Sequence, residues 1–447
     1  MNVENVKRKW RIGYLVCFVL FIVMLIAYID RVNITFLIAD EGFLNDFGLA
    51  ERKDLQGLLT SAFLFAYGLS SLILAFVLDR LGARKGMIIL AVIWAAATVM
   101  GGLSTGFVML IVSRIILGIG EGLMVPLSSM VTKHWAPPKE RGIANAIWTP
   151  GLLLGPAVGA PLMVAVVSNY DWQTSFFILA AMTVVIIIPL VLLFVHDKPS
   201  KSKFVSKEEL EYIESSLRVE QENFKVNNQE DANNDLGVKT FLKNKNYWLA
   251  VFSYTTLGWM WWGILSWLPS YLTQSRGFSW GDLGVVSTLP YLAGAAAIII
   301  GGFLVVKNIV RPGIFLWFGK LLYVICLALA IVSESNMASA MWIVGAMSGI
   351  GFAFAPEVTV LQQLLPSRYT ALATGIWSGV NQMSSAFVPY LIGIIITVMG
   401  GSFTGGMLFL VGVALIGTII SFILDFNINK ETKRKALAAQ TTPTSSI

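Results

Sequence analysis

Charge is what this sequence has least of. Asp, Glu, Lys and Arg make up only 13% of its 447 residues against 56% apolar ones, and a mean hydropathy of +0.73 excludes a soluble globular protein. Cysteine and histidine are equally scarce. Cys17 and Cys326 fall in apolar runs of different halves and read as small hydrophobes, while His134 and His196 fall in polar connections, which leaves no basis for a disulfide or a metal site. No nucleophile and base stand together, so an enzyme is disfavoured and no cofactor is expected. A leader cleavage site is missing too: the first apolar run leads into Asp30-Arg31 and reads as a retained span.

Long apolar runs are what the chain has in abundance. Twelve of them, each of roughly 20 residues, have the length at which a helix crosses a ~30 Å hydrocarbon core. They begin near residues 12, 55, 86, 106, 142, 174, 246, 281, 313, 338, 369 and 402. Only helices fit, because the runs are too long and continuous for barrel strands and backbone groups in lipid must be satisfied within each segment. The expected fold is an all-α membrane protein of twelve transmembrane helices.

The net charge of +6 follows sidedness and does not call for nucleic acid. Lys7 to Arg11, Arg80, Arg84, Lys85, Lys133, Lys139, Arg141 and the basic tail at Lys430 to Lys435 all share one face, and only Arg52, Lys53 and Arg276 oppose them. By the positive-inside rule both termini are cytoplasmic.

Residues 196–244 break the pattern with a polar stretch, dividing the chain into a bundle over 1–195, a linker, and a second bundle over 245–447. Ser206-Lys207-Glu208-Glu209 opens an amphipathic helix within the linker as a capping box, with Leu210, Ile213 and Leu217 on one face. The halves repeat: Gly118-Ile119-Gly120 answers to Gly349-Ile350-Gly351, Pro126 to Pro356, Pro138 to Pro366 and Ile147-Trp148 to Ile376-Trp377, at offsets between 228 and 231. A parallel repeat places two six-helix bundles side by side with a binding site near the midplane.

Against this oily background four ionisable residues stand out. Asp30 and Arg31 lie in the first span and Arg114 and Glu121 in the fourth, where each costs a few kcal/mol and marks a pathway more often than packing. Arg114 and Glu121, seven residues apart, share a helix face at about 10 Å. The dull alternative is a structural ion pair within the first bundle. Protonating a buried carboxylate would free an arginine to grip a substrate carboxylate through two parallel hydrogen bonds.

Asp79-Arg80-Leu81-Gly82-Ala83-Arg84-Lys85, Asp30-Arg31-Val32-Asn33, Arg114-x3-Gly118-x-Gly120-Glu121 with Pro126, Ser61-Ala62-Phe63 with Tyr67, and Trp267 to Leu272 together resemble the major facilitator superfamily. Within it the likeness is to the anion:cation symporters, and among these to bacterial sugar-acid:proton symporters. That resemblance implies a monomeric transporter of the bacterial cytoplasmic membrane, importing a small organic anion, such as a hexonate or hexuronate, with protons by alternating access. It implies Asp30 and Glu121 as proton-coupling residues, and substrate contacts from Arg31, Arg114, Tyr28, Tyr67, Asn33, Trp262, Ser378 and Asn381. Asp79, Arg80, Gly82 and Arg84 fit a gating scaffold. Leu152 and Ser378 replace an expected glutamine and asparagine, which leaves another carboxylate, aromatic or dicarboxylic, as the alternative, and a transporter-like ligand sensor as a remoter one.

Four further expectations concern packing. Gly151-x3-Gly155-Pro156 reads as close helix packing, Asn145 is open between cavity and neighbour, Glu357 is open between titration and structure, and Lys320 is expected to snorkel to the inner face. Trp262 and Trp267 are the best pocket candidates among the tryptophans of span seven.

Overall fold

A computed structural model describes residues 12–74, 81–231, 242–307, 309–364 and 370–441. They form helices and connections, with no strand among them. The first six long helices are α1 (Ile12–Leu37), α2 (Lys53–Ile73), α3 (Ala83–Gly102), α4 (Phe107–Glu121 continued by Met124–Trp135), α5 (Arg141–Trp148 and Gly151–Asn169) and α6 (Trp172–Phe194). The other six are α7 (Lys245–Ser270), α8 (Trp280–Val306), α9 (Pro312–Val332), α10 (Asn336–Gln363), α11 (Thr370–Ser385 and Val388–Val398) and α12 (Phe403–Thr441). Eleven described helical segments are long and apolar enough to cross a membrane. The twelfth, α7, is as long at 26 residues but is diluted by its tryptophans, serines and threonines.

Chain contacts define two compact units. One comprises Met1–Asn234 with Leu265–Leu292 and Ala386–Ser402; the other comprises Asp235–Ile264, Ala293–Ser385 and Phe403–Ile447.

In the first unit, small residues set how closely helices approach, as lipid-embedded packing requires. The stripe Gly151, Gly155, Gly159 of α5 runs along α1, where a Cβ would meet Phe21 and Met24, then Tyr28, then Val32. This glycine seam fixes the stretch of α1 that carries Tyr28, Asp30 and Arg31, and so bears out close packing for that motif. Asn145 is exposed and accepts from Trp148 Nε1 of its own helix at 3.0 Å.

The repeat is real in packing, but its register shifts. Gly120 abuts the Trp94 backbone of α3, and Gly349 abuts the Tyr323 backbone of α9; Gly122 abuts Ser70 and Tyr67 of α2, and Gly351 abuts Gly294 and Ala297 of α8. Gly120 and Gly122 therefore answer to Gly349 and Gly351, 229 residues on, and not Gly118 and Gly120 as the identical Gly-Ile-Gly triplets imply. A helix face is decided by what each glycine must clear, and triplet identity does not encode that.

The linker helix (Lys207–Asp231) is docked on the first unit. Ser206 Oγ caps the Glu209 amide at 3.1 Å, while Glu209 reaches past its own helix to the Gly13 amide of α1 at 3.2 Å. Glu140 accepts from both Tyr14 at 2.8 Å and Tyr212 at 3.0 Å, and Arg141 holds Glu220 through two bonds at 2.5 and 2.8 Å. His134, expected in a loop, closes the last turn of α4.

Candidate functional site

Consecutive helical residues point about 100° apart, so α1 sends Asp30 and Arg31 to different neighbours. Asp30 Oδ2 faces α3 and accepts from Trp94 Nε1 at 2.5 Å and Thr98 Oγ1 at 3.1 Å. Arg31 faces α2 and α4, donating from Nε to Glu121 Oε2 at 2.7 Å. Its guanidinium lies 4.1 Å from the Tyr28 ring centroid and 4.6 Å from that of Tyr67, a clasp suited to a weakly hydrated planar cation.

Arg114, two turns before Glu121 on α4, is 1% exposed and stands over the Phe63 ring at 4.9 Å. Among the described residues none of its three guanidinium nitrogens has a hydrogen-bond partner. Asp30 Oδ1, Glu121 Oε1 and Arg31 Nη2 are likewise unpartnered. Buried polar atoms are normally satisfied, and here six around four opposed charges are unmet among the described residues. Two carboxylates and two guanidiniums balance in charge, and the free valences on the guanidiniums suit an arriving anion.

The structure thus brings Tyr28, Asp30, Arg31, Tyr67, Arg114 and Glu121 into one cluster in the first unit. Asn33 is fully buried with both amide atoms unpartnered, but shares no hydrogen bond with the four charges. Trp262, Ser378 and Asn381 belong to the second unit. There Gly258 makes room for Asn381, whose amide oxygen a Cβ would overlap, and Asn381 Oδ1 accepts from Ser385 at 3.2 Å. Trp267 is a structural tie instead of a pocket wall: it is 1% exposed and donates to the Pro389 carbonyl at 3.1 Å. Trp94 and Thr98 join the cluster without being singled out by the sequence, and Phe63 entered only as part of a family motif; Thr98 and Trp94, four residues apart, are visible as a polar edge on an otherwise apolar span.

Of the gating motif, Asp79 and Arg80 lie outside the described residues. Gly82 takes φ 81°, which favours glycine, and a side chain there would strike the Asp197 carboxylate. Arg84 donates its backbone N–H to Asp197 Oδ1 at 3.0 Å and its guanidinium to the Leu192 carbonyl, tying the motif to the end of α6.

One expectation about the second unit is overturned by a single contact. Lys320 does not snorkel: it is fully buried, and its ammonium lies 3.1 Å from Glu357 Oε1. A carboxylate two turns deep in the same unit is a better partner for the charge than a distant interface.

The model of the Major Facilitator Superfamily matches residues 20–371. The chain belongs to that superfamily. Its members are transporters, and this chain is a multi-pass membrane transporter, not an enzyme. It is 28% identical over 432 residues to the D-galactonate transporter of Escherichia coli O6:H1, covering 94% of this chain and 97% of that one. Similar identity, 28% over 439 residues and 95% and 94% of the two chains, relates it to the probable galactarate/D-glucarate transporter GudP of Bacillus subtilis. The probable sulfoacetate transporter SauU of Cupriavidus necator is 31% identical over 69% of this chain and 68% of its own. Among solved structures, a bacterial homolog of the human lysosomal transporter Spinster shares the fold at TM-score 0.73 and 17% identity, covering 94% and 98% of the two chains.

Proposed function

We propose that this superfamily member imports a sugar acid, a hexonate, hexarate or hexuronate, by proton symport with alternating access across a bacterial cytoplasmic membrane. The observation that carries the reading is the Arg114 guanidinium, buried with three unpartnered nitrogens beside a second guanidinium held by Glu121 at 2.7 Å. A buried arginine without a carboxylate partner is expensive, and a substrate carboxylate offers the two parallel acceptors that it lacks.

Glu121 is the gatekeeper in this scheme. While ionised it occupies Arg31; a proton on it removes the attraction and frees Arg31 to join Arg114 on the anion. A monoanion arriving after Glu121 is protonated leaves the cluster neutral, and Asp30, held by Trp94 and Thr98, takes a second proton that gives the loaded cluster one net positive charge. Two protons carried with one monoanion move one net positive charge, so a potential of ~100 mV contributes about 2.3 kcal/mol, enough for accumulation of tens of fold. Tyr28 and Tyr67 present ring faces to the same guanidinium, and Trp262, Ser378 and Asn381 are assigned to sugar recognition on the sequence resemblance.

The named relatives support the substrate class: two carry sugar-acid names over nearly the whole chain. A second reading, a small sulfonate or dicarboxylate, is favoured by the sulfoacetate carrier at 31% identity and by Leu152 and Ser378 in place of amides.

The test is uptake into proteoliposomes under an imposed pH gradient, with galactonate, glucarate, glucuronate and sulfoacetate as candidates. Native protein should concentrate at least one of them. Asp30→Asn and Glu121→Gln should lose uphill accumulation while still exchanging label across the membrane. Full accumulation by both variants would refute the proton assignment; a strict preference for sulfoacetate would favour the second reading.

A further inference from the structure

The second unit holds a charged cluster with no part in the scheme above. Lys320 of α9 projects its ammonium among four oxygen atoms: Ser253 Oγ at 2.6 Å, the Ser253 carbonyl at 2.8 Å, Ser421 Oγ at 2.8 Å and Glu357 Oε1 at 3.1 Å. Lys320, Ser253 and Ser421 are each 0% exposed and Glu357 is 2% exposed. The three helices that supply these acceptors, α7, α10 and α12, reach the same point from different sides, and Gly417 of α12 leaves the space through which the lysine stem passes beside Thr256.

Two features set this apart from an ordinary buried ion pair. An ammonium has three N–H donors, yet four oxygens surround it within hydrogen-bond range, so the oxygens are arranged as a coordination sphere with one ligand to spare. The set is one carboxylate, one carbonyl and two hydroxyls, with no nitrogen or sulfur, the all-oxygen chemistry that hard cations select. Ser253 supplies two of the four as a chelate, and its hydroxyl also bonds to Ser421 and Glu357 at 2.9 and 3.0 Å, which holds the cage together without help from the lysine.

We propose that this is a monovalent-cation site whose resident cation is the chain's own ammonium. Lys320 neutralises Glu357 and draws α7, α10 and α12 onto α9, and because its charge is covalently delivered the unit needs no Na+ or K+ from solution. Vacated, the cage takes a free alkali ion.

Lys320→Met tests this, since the methionine keeps the buried stem and removes only the charged end. Thermal unfolding of the purified full chain is followed at constant ionic strength in KCl, NaCl or N-methylglucamine chloride, a readout independent of any transport substrate. The native chain should unfold at one temperature in all three. Lys320→Met should be several degrees less stable in N-methylglucamine and recover saturably with K+ or Na+, and adding Ser421→Ala should abolish that recovery. Absence of any ion response would overturn the proposal. So would a variant that stays unfolded at molar K+ and Na+ while Lys320→Met with Glu357→Gln folds, because the cage would then require neutralisation but accept no ion.

Discussion

Trp94 Nε1 donates to Asp30 Oδ2 at 2.5 Å, joining α3 to the charged turn of α1 in a fully buried setting. The indole has no acceptor capacity, so it fixes the carboxylate's orientation without competing for its proton, and Thr98 supplies the second bond at 3.1 Å. Asp30 Oδ1 is left bare. One oxygen anchored and one open fits the proton-carrying role proposed for Asp30.

Trp94→Phe leaves in place the backbone that Gly120 abuts and removes the indole N–H that bonds Asp30. Hydrogen bonds to charged groups contribute about 1.5–3 kcal/mol, so proton-driven accumulation should fall roughly tenfold or more while the protein remains folded. The steady-state accumulation ratio under a fixed pH gradient measures this. Unchanged accumulation would show that Asp30 needs no orientation from α3.

Arg114→Lys retains the charge and loses the planar fork. A lysine ammonium is a strongly hydrated point charge that cannot make two parallel bonds to a carboxylate, and its burial at this depth is costly. Affinity for the anion should drop at least about tenfold, the equivalent of 1.4 kcal/mol, read as a raised half-saturation constant for uptake and as lost substrate protection in thermal unfolding. Arg114→Lys binding as tightly as native protein would move the substrate elsewhere.

Much of the fold was legible because lipid imposes one simple rule on sequence: apolar runs of helix-crossing length. Every long helix begins within a few residues of its expected start, and α7 was found despite its polar dilution. The four charges were legible for the same reason, since burial in hydrocarbon makes a charge conspicuous. Partner choice was not. Nothing in the spacing says that Arg31 pairs with Glu121 while Arg114 stays open, because that depends on how Gly118 and Gly122 seat α4 against α2 and how Gly120 seats it against α3. Lys320 was misplaced on the same account: a lysine seven residues into a span can snorkel if it is alone, and only the arrival of Glu357 from α10 shows that it is not. The repeat's register slipped by two because an identical triplet outweighed the packing of each glycine.

Gly155→Ala probes that seam. The added Cβ would strike Tyr28 Cβ and the Leu25 carbonyl, and backbone cannot yield as a flexible side chain does. Overpacking of this kind costs about 1–3 kcal/mol. Since Tyr28 is one wall of the Arg31 clasp, the displacement should both lower the unfolding temperature and weaken substrate binding. Gly142→Ala, where nothing lies within 4 Å of the new atom, should do neither, and the pair measured side by side separates a seam effect from general intolerance of alanine.

The linker helix offers a prediction in pH. Arg141 donates twice to Glu220 and holds its carboxyl below the usual carboxylate range, chiefly through those hydrogen bonds. A carboxyl whose value is lower when docked than when free favours docking at any pH above its free value, and that contribution disappears as pH falls through the docked one. Docking should therefore be constant from neutrality down to about pH 5 and weaken below the ordinary glutamate value of about 4.3. The pair is half exposed, at 23% and 36%, so salt should weaken it as well. Amide hydrogen exchange over Lys207–Asp231 at matched chemical exchange rates reads the change directly. Glu220→Gln should show neutral-pH protection already reduced and the acid step diminished. If the acid step persists at full size in that variant, Glu220 is not the group that holds the helix down.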